Sequence, residues 1–412
     1  MKVLVFGGGG KMGSTVAFDL LKNGEVREVG LADRSYSGLE NARAWLKNPN
    51  VVIHHLDVSD KDELKALMGH YDVGVNTLPD RRTSYLVADA AVRFGFNVVD
   101  ILEEFHLRPD AHEVEGLVLP AGMSLNDYGD WIHETALANR VTFLDGLGFA
   151  PGMSNVTCGE GIRKLDVTES VIARVGGVPN KEAAAGHPLR YMITWAFSHV
   201  LREYVIKVLV MQNGQVVEVD ASTGREHFRF DKLGRNEELE CAITPGMPSF
   251  IYTRPQLREF AEKTVRWPGH WEGVQTLKEC GMLDLEQVDV GGVKVVPRDV
   301  LLASIEPRLR PEPGETDVCV MYNTVDGVKN GARTRVSYHL WDEADTAHGV
   351  SAMGRVTGYS AAIGAVMVGS GMIAEKGIVA PEDCIYGGNY DYYIAELAKR
   401  NITILETVET LG

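Results

Sequence analysis

The chain has few cysteines and fewer basic than acidic residues. Its five cysteines lie far apart, include no C-x-x-C pair and leave an odd one over, so neither a zinc knuckle nor a disulfide framework is predicted. The 41 lysines and arginines are outnumbered by 57 aspartates and glutamates, and the net charge of −16 argues against nucleic acid as a partner. Reduced thiols in a cytoplasmic protein fit this composition best.

Long hydrophobic runs are also missing. The most apolar stretch, residues 361–374, is interrupted by Gly364, Gly369 and Gly371 and falls short of the roughly 20 residues that a membrane span requires. The apolar run after Lys2 is too short for a signal peptide and is better interpreted as a strand. We therefore expect no membrane segment and a cytoplasmic location. The absence of a G-x-S-x-G elbow and of a Walker A lysine gives no support to serine hydrolase or P-loop chemistry.

Strand and helix patterns alternate over the first hundred residues. Unbroken apolar runs separated by amphipathic stretches predict strands at residues 3–6, 29–33, 51–57, 73–76 and 98–100. Strands of this composition between helices are typical of a parallel sheet that is covered on both faces. We therefore expect a doubly wound α/β domain over residues 1–145.

The pattern changes in the second part of the chain. Residues 103–123 contain two prolines and are interpreted as an irregular excursion. From about residue 146 strand patterns dominate, and Asn213-Gly214 between two apolar runs indicates a hairpin. Residues 318–322 and 333–341 predict a further antiparallel pair. We expect a second, α+β domain over residues 146–349, followed by helices.

A glycine-rich turn follows the first predicted strand. It satisfies G-x-G-x-x-G, in which the glycines permit a tight turn, close approach of backbone N–H groups to a pyrophosphate, and close packing of helix on strand. Asp33 ends the second strand twenty residues after the last glycine, where a carboxylate accepts hydrogen bonds from the adenosine ribose. The sequence therefore predicts a dinucleotide site that includes Gly8, Gly10, Lys11, Met12 and Gly13.

The residues around this turn bear on the choice of dinucleotide. Asp33 would repel a 2′-phosphate, which favours NAD over NADP, whereas Arg34 is suited to stack on adenine or to receive that phosphate. Further cofactor contacts are predicted where the next strands end. Asp57 and Val58 would flank the adenine, and the nicotinamide ribose would be bordered by Asn76, Thr77 and Pro79. Each of these segments is equally well explained as a strand end with a turn.

Four motifs in the rest of the chain are too specific to be scaffolding. They are DGLGFAPGMSN at residues 145–155, VGGVP at 175–179, TVRWPGH at 264–270 and MGRVTGY at 353–359. With the glycine-rich turn, they resemble the saccharopine dehydrogenase family through nearly the whole chain, and most closely its lysine 6-dehydrogenase branch. The resemblance implies a Rossmann domain completed by helices in residues 350–412. It also implies an inserted catalytic and dimerisation domain, and hence a homodimer or higher homo-oligomer.

The resemblance further implies an NAD- or NADP-dependent oxidoreductase that acts on the C–N bond of a small amino-acid or amine substrate. The reaction that it favours is oxidative deamination of the 6-amino group of L-lysine. The alternative is reductive condensation of an amine with a carbonyl compound, as in the formation of saccharopine or carboxynorspermidine. A second alternative, from a different class, is an NAD-binding sensor without catalysis.

The resemblance assigns substrate-site roles to individual residues. Arg266 would hold a substrate carboxylate, which a guanidinium matches bidentately. Asp145 would line the pocket, and Asp100 and Ile101 match another substrate-facing stretch. Either aspartate is suited to orient a substrate ammonium and take its proton, and His270 is a further candidate base. The predicted substrate-binding set is completed by Thr244 and Arg355. Asp145 as a cap of the following loop and His270 as a structural histidine are the alternatives.

The chain departs from the lysine 6-dehydrogenase pattern at three places. Residues 103–123 look like an insertion beside the presumed pocket. Trp195-Ala196-Phe197 stands where W-S-P is typical, and YVIK at 204–207 replaces Y-T-R-P. The insertion contains residues of metal-binding type, but they lack the spacing of a zinc motif, and a solvated polar loop explains them better. We predict no metal site at these residues, which are His106, Asp110, His112 and Glu113.

Overall fold

The computed structural model of the chain describes residues 1–111, 114, 116–194 and 197–412. The chain forms two compact units. The first consists of Met1–Glu160, Met247–Thr253 and Gly354–Ile402, and the second of Gly161–Gly246, Arg254–Met353 and Thr403–Gly412. The first boundary thus lies at residue 160 rather than 145, and the last ten residues belong to the second unit instead of completing the first.

The N-terminal part of the first unit alternates strands with helices. Its strands are β1 (Lys2–Phe6), β2 (Glu28–Asp33), β3 (Val51–His55), β4 (Val73–Asn76), β5 (Val98–Asp100) and β6 (Thr142–Leu144). Its helices are α1 (Lys11–Leu20), α2 (Tyr36–Leu46), α3 (Lys61–Met68), α4 (Arg81–Phe94), α5 (Leu125–Ala138) and α6 (Met153–Arg163). The predicted strands all form. Each is an apolar run that can be buried in a sheet covered by helices on both faces.

The middle of the chain is richer in strands. They are β7 (Val167–Pro179), β8 (Lys207–Gln212), β9 (Gln215–Asp220), β10 (Glu226–Phe230), β11 (Glu237–Ile243), β12 (Glu259–Arg266), β13 (Val288–Val290), β14 (Val293–Val295), β15 (Asp317–Lys329) and β16 (Ala332–Glu343). The helices between them are α7 (Lys181–Gly186), α8 (Phe197–Glu203), α9 (Phe250–Thr253), α10 (His270–Glu279) and α11 (Pro297–Leu309), with a 3₁₀ turn at Pro188–Arg190.

The C-terminal part returns to the first unit before a last strand joins the second. Its elements are α12 (Ala352–Gly354), a π-helical turn (Arg355–Tyr359), α13 (Ser360–Gly369), β17 (Gly377–Val379), α14 (Pro381–Cys384), α15 (Gly388–Lys399) and β18 (Leu405–Thr410). Helix α13 is almost wholly buried, as its small and apolar residues predict. In the described part of the chain, no helix is both long enough and apolar enough to cross a bilayer.

The sheet of the first unit is parallel throughout, with the strand order β17-β6-β5-β4-β1-β2-β3. This is a doubly wound Rossmann order, and the predicted doubly wound α/β domain is confirmed. The chain reverses its progress across the sheet between β1 and β4. In open α/β sheets of this kind, ligands bind in the crevice beyond the carboxyl ends of the strands at such a point. The glycine-rich turn after β1 and the residues after β4 therefore flank a binding crevice.

The sheet of the second unit is mixed. Its strands lie in the order β10-β11-β12-β7-β15-β16-β18, and β7 and β12 run parallel while the other neighbours on this path are antiparallel. The predicted hairpin forms between β8 and β9, and Asn213 and Gly214 at its turn have φ values of 52° and 79°. The predicted antiparallel pair also forms, as β15 and β16. The α+β prediction for this part is confirmed.

Gly176 in β7 lies so close to β12 that a side chain does not fit. A Cβ there would lie 2.3 Å from Val265 O and 2.9 Å from Val265 N. Because both atoms are backbone, we expect Gly176→Ala to push the strands apart and lower the free energy of unfolding by ~1–3 kcal/mol. Gly388→Ala is the control, since its Cβ would meet no atom within 4 Å. Urea unfolding measures both variants, and a wild-type midpoint for Gly176→Ala would contradict this account.

Candidate active site

The turn after β1 is held by its own backbone and has no room for side chains. The N–H groups of Gly7 and Gly8 donate to Ala32 O at 2.8 and 3.1 Å, which fixes the turn against the end of β2. A Cβ on Gly8 would lie 2.7 Å from Leu31 Cβ, and one on Gly13 would lie 2.4 Å from Gly7 O. Glycine is therefore required at positions 8 and 13, because a side chain at either would clash with neighbouring atoms.

The positive end of α1 is open beside this turn. Gly10 caps the helix without a side-chain hydrogen bond, and Gly10 and Lys11 are exposed. Asp33 accepts the N–H of Gly9 on Oδ2 at 3.1 Å and that of Ser35 on Oδ1 at 2.8 Å. Uncapped N–H groups at a helix N-terminus bind phosphate, so these residues fit a dinucleotide pyrophosphate. We call the turn from Gly7 to Gly13 the cofactor cradle.

The residues that follow β2 and β3 are those predicted to lie beside the adenine. Arg34 and Asp57 are exposed and Val58 is half-buried. Asp57 accepts the N–H and the hydroxyl of Ser59 at 2.9 and 2.7 Å. These two hydrogen bonds, with the nearby charge of Arg34, hold the pKa of Asp57 below its usual value. Charge of both signs is therefore available on this side of the crevice.

The residues at the end of β4 and just after it contact two different groups of side chains. Thr77 donates to Phe6 O at 2.7 Å, and its hydroxyl would lie 2.8 Å from a Cβ on Gly13, so it braces the cradle. Pro79 is exposed. Asn76, predicted to border the nicotinamide ribose, is fully buried and turns its amide toward another group of side chains.

That second group forms because β4, β5 and β6 end at the same edge of the parallel sheet. Asn76 ends β4, Asp100 ends β5 and Asp145 follows β6. Asn76 Nδ2 donates to Asp100 Oδ2 at 2.6 Å. Ser84 of α4 accepts from Asn76 Nδ2 at 3.0 Å and lies 2.7 Å from Asp100 Oδ2, to which it donates. The N–H of Leu102 occupies Asp100 Oδ1 at 2.7 Å.

His106 completes this group. Its Nε2 lies 2.8 Å from Ser84 Oγ and its Nδ1 2.8 Å from Asp145 Oδ1, while its backbone N–H donates to Asp145 Oδ2 at 2.7 Å. The side chains of His106 and Asp145 have no solvent exposure. Burial acts to lower the pKa of His106, but the facing carboxylates of Asp145 and Asp100 outweigh it and raise the pKa to about 9. We call Asn76, Ser84, Asp100, His106 and Asp145 the acid–histidine cluster.

Glu104 is a third buried acid beside the cluster. Tyr85 donates its hydroxyl to Glu104 Oε1 at 2.6 Å. Burial raises the pKa of Glu104 to about 7, although His106, Tyr85 and Arg81 each act to lower it. The segment after β5 thus brings two titratable side chains into the interior of the first unit.

The cluster revises the predictions for this region. Asp100 and Asp145 lie in the same cluster, but every one of their carboxylate oxygens already accepts a hydrogen bond from the first unit. The interpretation of His106 as part of a solvated polar loop is wrong, because Glu104, Phe105 and His106 are buried. Ser84 was missed, and His106 was considered only as a metal-capable residue. The available signal was Phe105 and Leu107, since apolar residues on both sides of a histidine do not suit a solvated loop.

In the second unit, Arg266 ends β12 and is buried. Its Nε and Nη2 donate to Tyr204 Oη at 3.1 and 3.0 Å, and its Nη1 donates to the carbonyls of Val265 and Gly177 at 2.9 and 3.4 Å. These bonds use four of the five N–H donors of a guanidinium. Within the described residues, one Nη2 hydrogen remains for a carboxylate, instead of the bidentate fork that we predicted.

Tyr204 connects Arg266 to His270. Because Tyr204 Oη accepts from Arg266, its proton is directed to His270 Nε2, 3.1 Å away, and His270 Nδ1 donates to Leu189 O at 2.9 Å. Burial and the charge of Arg266 lower the pKa of His270 to about 3. His270 is therefore neutral at ordinary pH with both ring nitrogens bonded. This geometry favours the alternative of a structural histidine, and a role of His270 as a base stays a prediction.

The other predicted substrate-binding residues have contacts within their own units. Thr244 donates to Glu262 Oε2 at 2.7 Å. Arg355 donates to the carbonyl of Arg400, the C-cap of α15, at 3.0 Å, where a cation stabilises a helix end. Ile101 is half-buried directly after β5. These contacts make Thr244 and Arg355 framework residues, and a substrate contact by any of the three stays a prediction.

Some of the predictions fall on residues outside the described ones. They are the metal-capable His112 and Glu113, and the pair Trp195 and Ala196 that departs from the family pattern. Among the described residues, no group of three or more histidine, cysteine, aspartate or glutamate side chains is arranged to hold a metal ion. Phe197 and Tyr204, from the two departing motifs, pack together in one buried core.

The Rossmann order and the cofactor cradle define a dinucleotide-binding protein. Two family models match the chain: the saccharopine dehydrogenase NADP binding domain at residues 3–120, and the saccharopine dehydrogenase C-terminal domain at residues 148–402. The second covers more than half of the chain. The chain therefore belongs to the saccharopine dehydrogenase family. It is an NAD(P)-dependent oxidoreductase that acts at the C–N bond of an amino acid.

Individual relatives agree with this assignment. The NADP(+)-dependent, L-glutamate-forming saccharopine dehydrogenase of Schizosaccharomyces pombe is 21% identical, over 90% of this chain and 92% of the relative. The alpha-aminoadipic semialdehyde synthase of Arabidopsis thaliana is 23% identical, over 56% of this chain and 20% of its own. The apo structure of the L-Glu-forming saccharopine dehydrogenase of Saccharomyces cerevisiae superposes with a TM-score of 0.77 at 19% identity. That alignment covers 99% of this chain and 100% of the other.

These comparisons confirm the family, the fold and the nicotinamide dinucleotide. They do not support the narrower resemblance to lysine 6-dehydrogenase, because the full-length relatives named above are glutamate-forming saccharopine dehydrogenases.

Tyr204 offers a test of the network around Arg266. Tyr204→Phe removes the acceptor of two Arg266 N–H groups and the donor to His270, all of them buried. We expect the free energy of unfolding to fall by ~1–3 kcal/mol, the usual cost of buried polar groups left without partners. Tyr252→Phe is the control, because that tyrosine is 43% exposed. If urea midpoints for the two variants agree, the network does not stabilise the second unit.

Proposed function

We propose that the chain catalyses the reversible oxidative cleavage of a secondary amine of the saccharopine type, in which a hydride passes to NADP⁺ and water hydrolyses the resulting imine to glutamate and an amino-acid aldehyde. The observation that carries this proposal is the end-to-end similarity to a glutamate-forming saccharopine dehydrogenase, which spans 90% of this chain and 92% of the relative. A relative that matched the dinucleotide domain alone would support only the cofactor. Similarity across both units extends the inference to the substrate class.

The residues of the chain have separable tasks in this reaction. The nicotinamide ring, when bound, takes up or gives the hydride. The cofactor cradle holds the pyrophosphate through backbone N–H groups at the end of α1. Arg266 supplies a positive charge and one N–H to a substrate carboxylate, while Tyr204 fixes the plane of its guanidinium. The acid–histidine cluster lies at the carboxyl ends of β4 to β6, the edge at which the nicotinamide half of a dinucleotide binds.

Deamination of the 6-amino group of L-lysine is the second candidate. It is favoured by the motifs at residues 145–155 and 264–270, which resemble that branch. The two candidates differ in what leaves the carbon after hydride transfer, since one releases an amino acid and the other ammonia. A sensor without catalysis would bind the cofactor and turn over neither substrate.

The substrate is tested with purified protein, NADP⁺ or NAD⁺, and either saccharopine or L-lysine, following absorbance of the reduced nicotinamide. We expect glutamate to appear with saccharopine in step with the reduced cofactor, and no ammonia with lysine. Ammonia from lysine would replace the proposal by the second candidate. Cofactor binding without turnover of either compound would favour the sensor.

Arg266→Lys tests the carboxylate contact. Lysine keeps the charge but loses the planar donor, so we expect KM for saccharopine to rise about 10- to 100-fold, with a smaller change in kcat. Arg229→Lys is the control, because Arg229 lies in the same unit with its side chain 59% exposed. Melting temperatures establish that both variants are folded. An unchanged KM in folded Arg266→Lys would remove the arginine from the substrate site.

We infer that the cofactor is NADP, which reverses the preference for NAD that Asp33 suggested. Both oxygens of Asp33 accept backbone N–H groups, which offsets its charge, and the exposed Arg34 follows it, just before the N-cap of α2. The names of the matching N-terminal family model and of the Schizosaccharomyces pombe relative both specify NADP.

Arg34→Ala tests this inference. We expect Kd for NADPH to rise about tenfold, as loss of a charge-assisted hydrogen bond implies, and Kd for NADH to change less than about twofold. The control is Arg27→Ala, an exposed arginine that lies just before β2. Fluorescence titration gives both constants without a substrate. Equal weakening of both dinucleotides would show that Arg34 does not read the 2′-phosphate.

A further inference from the structure

The hydrogen bonds of the acid–histidine cluster fix where its protons lie. The amide of Asn76 is oriented by the N–H of Leu78, which donates to its Oδ1 at 3.4 Å, so Nδ2 is the atom that faces Ser84 and Asp100. Nδ2 is a donor only, and an ionised carboxylate is an acceptor only. The single proton of Ser84 therefore goes to Asp100, and the lone pairs of its oxygen receive two N–H groups.

The same argument fixes the protonation of His106. One N–H that Ser84 Oγ receives is that of Asn76, and the other is that of His106 Nε2, at 2.8 Å. His106 Nδ1 faces a carboxylate oxygen of Asp145 at 2.8 Å, and that oxygen accepts. Both ring nitrogens are donors. Where both aspartates act only as acceptors, each ring nitrogen donates to its neighbour, and an imidazole that donates from both nitrogens is an imidazolium.

We propose that His106 is a positioning residue of the reaction, an imidazolium that joins Asp145 directly and Asp100 through Ser84 into one unit with a single net negative charge. The inference rests on the proposed function, which places a cationic amine or iminium near the carboxyl ends of β5 and β6. A single buried negative charge there stabilises such a cation. Without the histidine, two neighbouring buried carboxylates would repel each other and one would bind a proton.

The other groups that face His106 preserve this charge state over a wide range of pH. Glu104 is the third acid beside the ring, and burial raises its pKa to about 7. The rings of Tyr85 and Phe143 cover the imidazole at centroid distances of 4.5 and 5.0 Å and exclude water. The pKa of His106 is raised to about 9, so its contribution to stability is complete below the usual histidine pKa of about 6.5. That contribution is lost as the pH rises through about 9.

The first experiment measures the charge of His106 directly, without cofactor or substrate. Nuclear magnetic resonance of ¹⁵N-histidine-labelled protein is compared with His106→Gln, which assigns the signal, and with His348→Gln, an exposed histidine of the second unit. We expect both nitrogens of His106 to be protonated at pH 7, and its titration to move from about 9 toward the usual histidine value in Asp145→Asn. A neutral ring at pH 7 would overturn the proposal.

The second experiment tests positioning, using the substrate that the protein turns over. In the wild type we expect kcat to fall above a pH of about 9, where the imidazolium loses its proton. In His106→Gln we expect kcat at pH 7 to be lower by about tenfold or more and this alkaline fall to be absent, with KM for the cofactor nearly unchanged. His348→Gln should keep the wild-type profile.

A purely structural role would give a different set of results. His106→Gln would then melt at a lower temperature and keep the alkaline fall of kcat, and that outcome would overturn the positioning role.

If His106→Gln does not fold, Ser84→Ala serves instead. It removes one hydroxyl, cuts the link to Asp100 alone, and should shift the alkaline fall toward lower pH. The wild-type protein could also show His106 as an imidazolium and yet turn over no amine. That result would contradict the proposed function and the positioning role, and it would leave the charge assignment of His106 intact.

Discussion

The first unit depends on the compensation of negative charge buried at one edge of its sheet. Asp100 and Asp145 meet there because parallel strands end together, and neither reaches solvent. A buried carboxylate is costly unless donors surround it, and two such groups are costlier still. The chain meets this cost by folding the segment after β5 back over the edge and placing His106 between them. The path of that segment is therefore set by electrostatics as well as by packing.

The sequence was sufficient wherever the determining contacts are local. The apolar runs of β1 to β5 and the glycine-rich turn each carry their structure within a few residues, because strand burial and tight turns depend on near neighbours. Asn213-Gly214 is a similar case. Asp100 and Asp145 could be chosen as site residues because one ends a parallel strand and the other opens a recognisable motif.

What the sequence did not show depends on contacts between distant residues. His106 and Asp145 are 39 positions apart, and Tyr204 and Arg266 are 62 apart. The polar composition around His106 suggested a solvated loop. Local composition carries no information about Asp145, the carboxylate that His106 contacts after the chain folds. Arg266 could be chosen from its motif, but the number of its donors already engaged follows from Tyr204, Val265 and Gly177 in three dimensions.

The course of the chain between the two units has a consequence for how they can be separated. Neither unit is one continuous stretch of sequence, since the chain changes unit after residues 160, 246, 253, 353 and 402. No single cut in the gene yields either unit whole, and a chain truncated after residue 402 would lack β18 of the second unit. Exchange of one unit for that of a relative would require several simultaneous junctions.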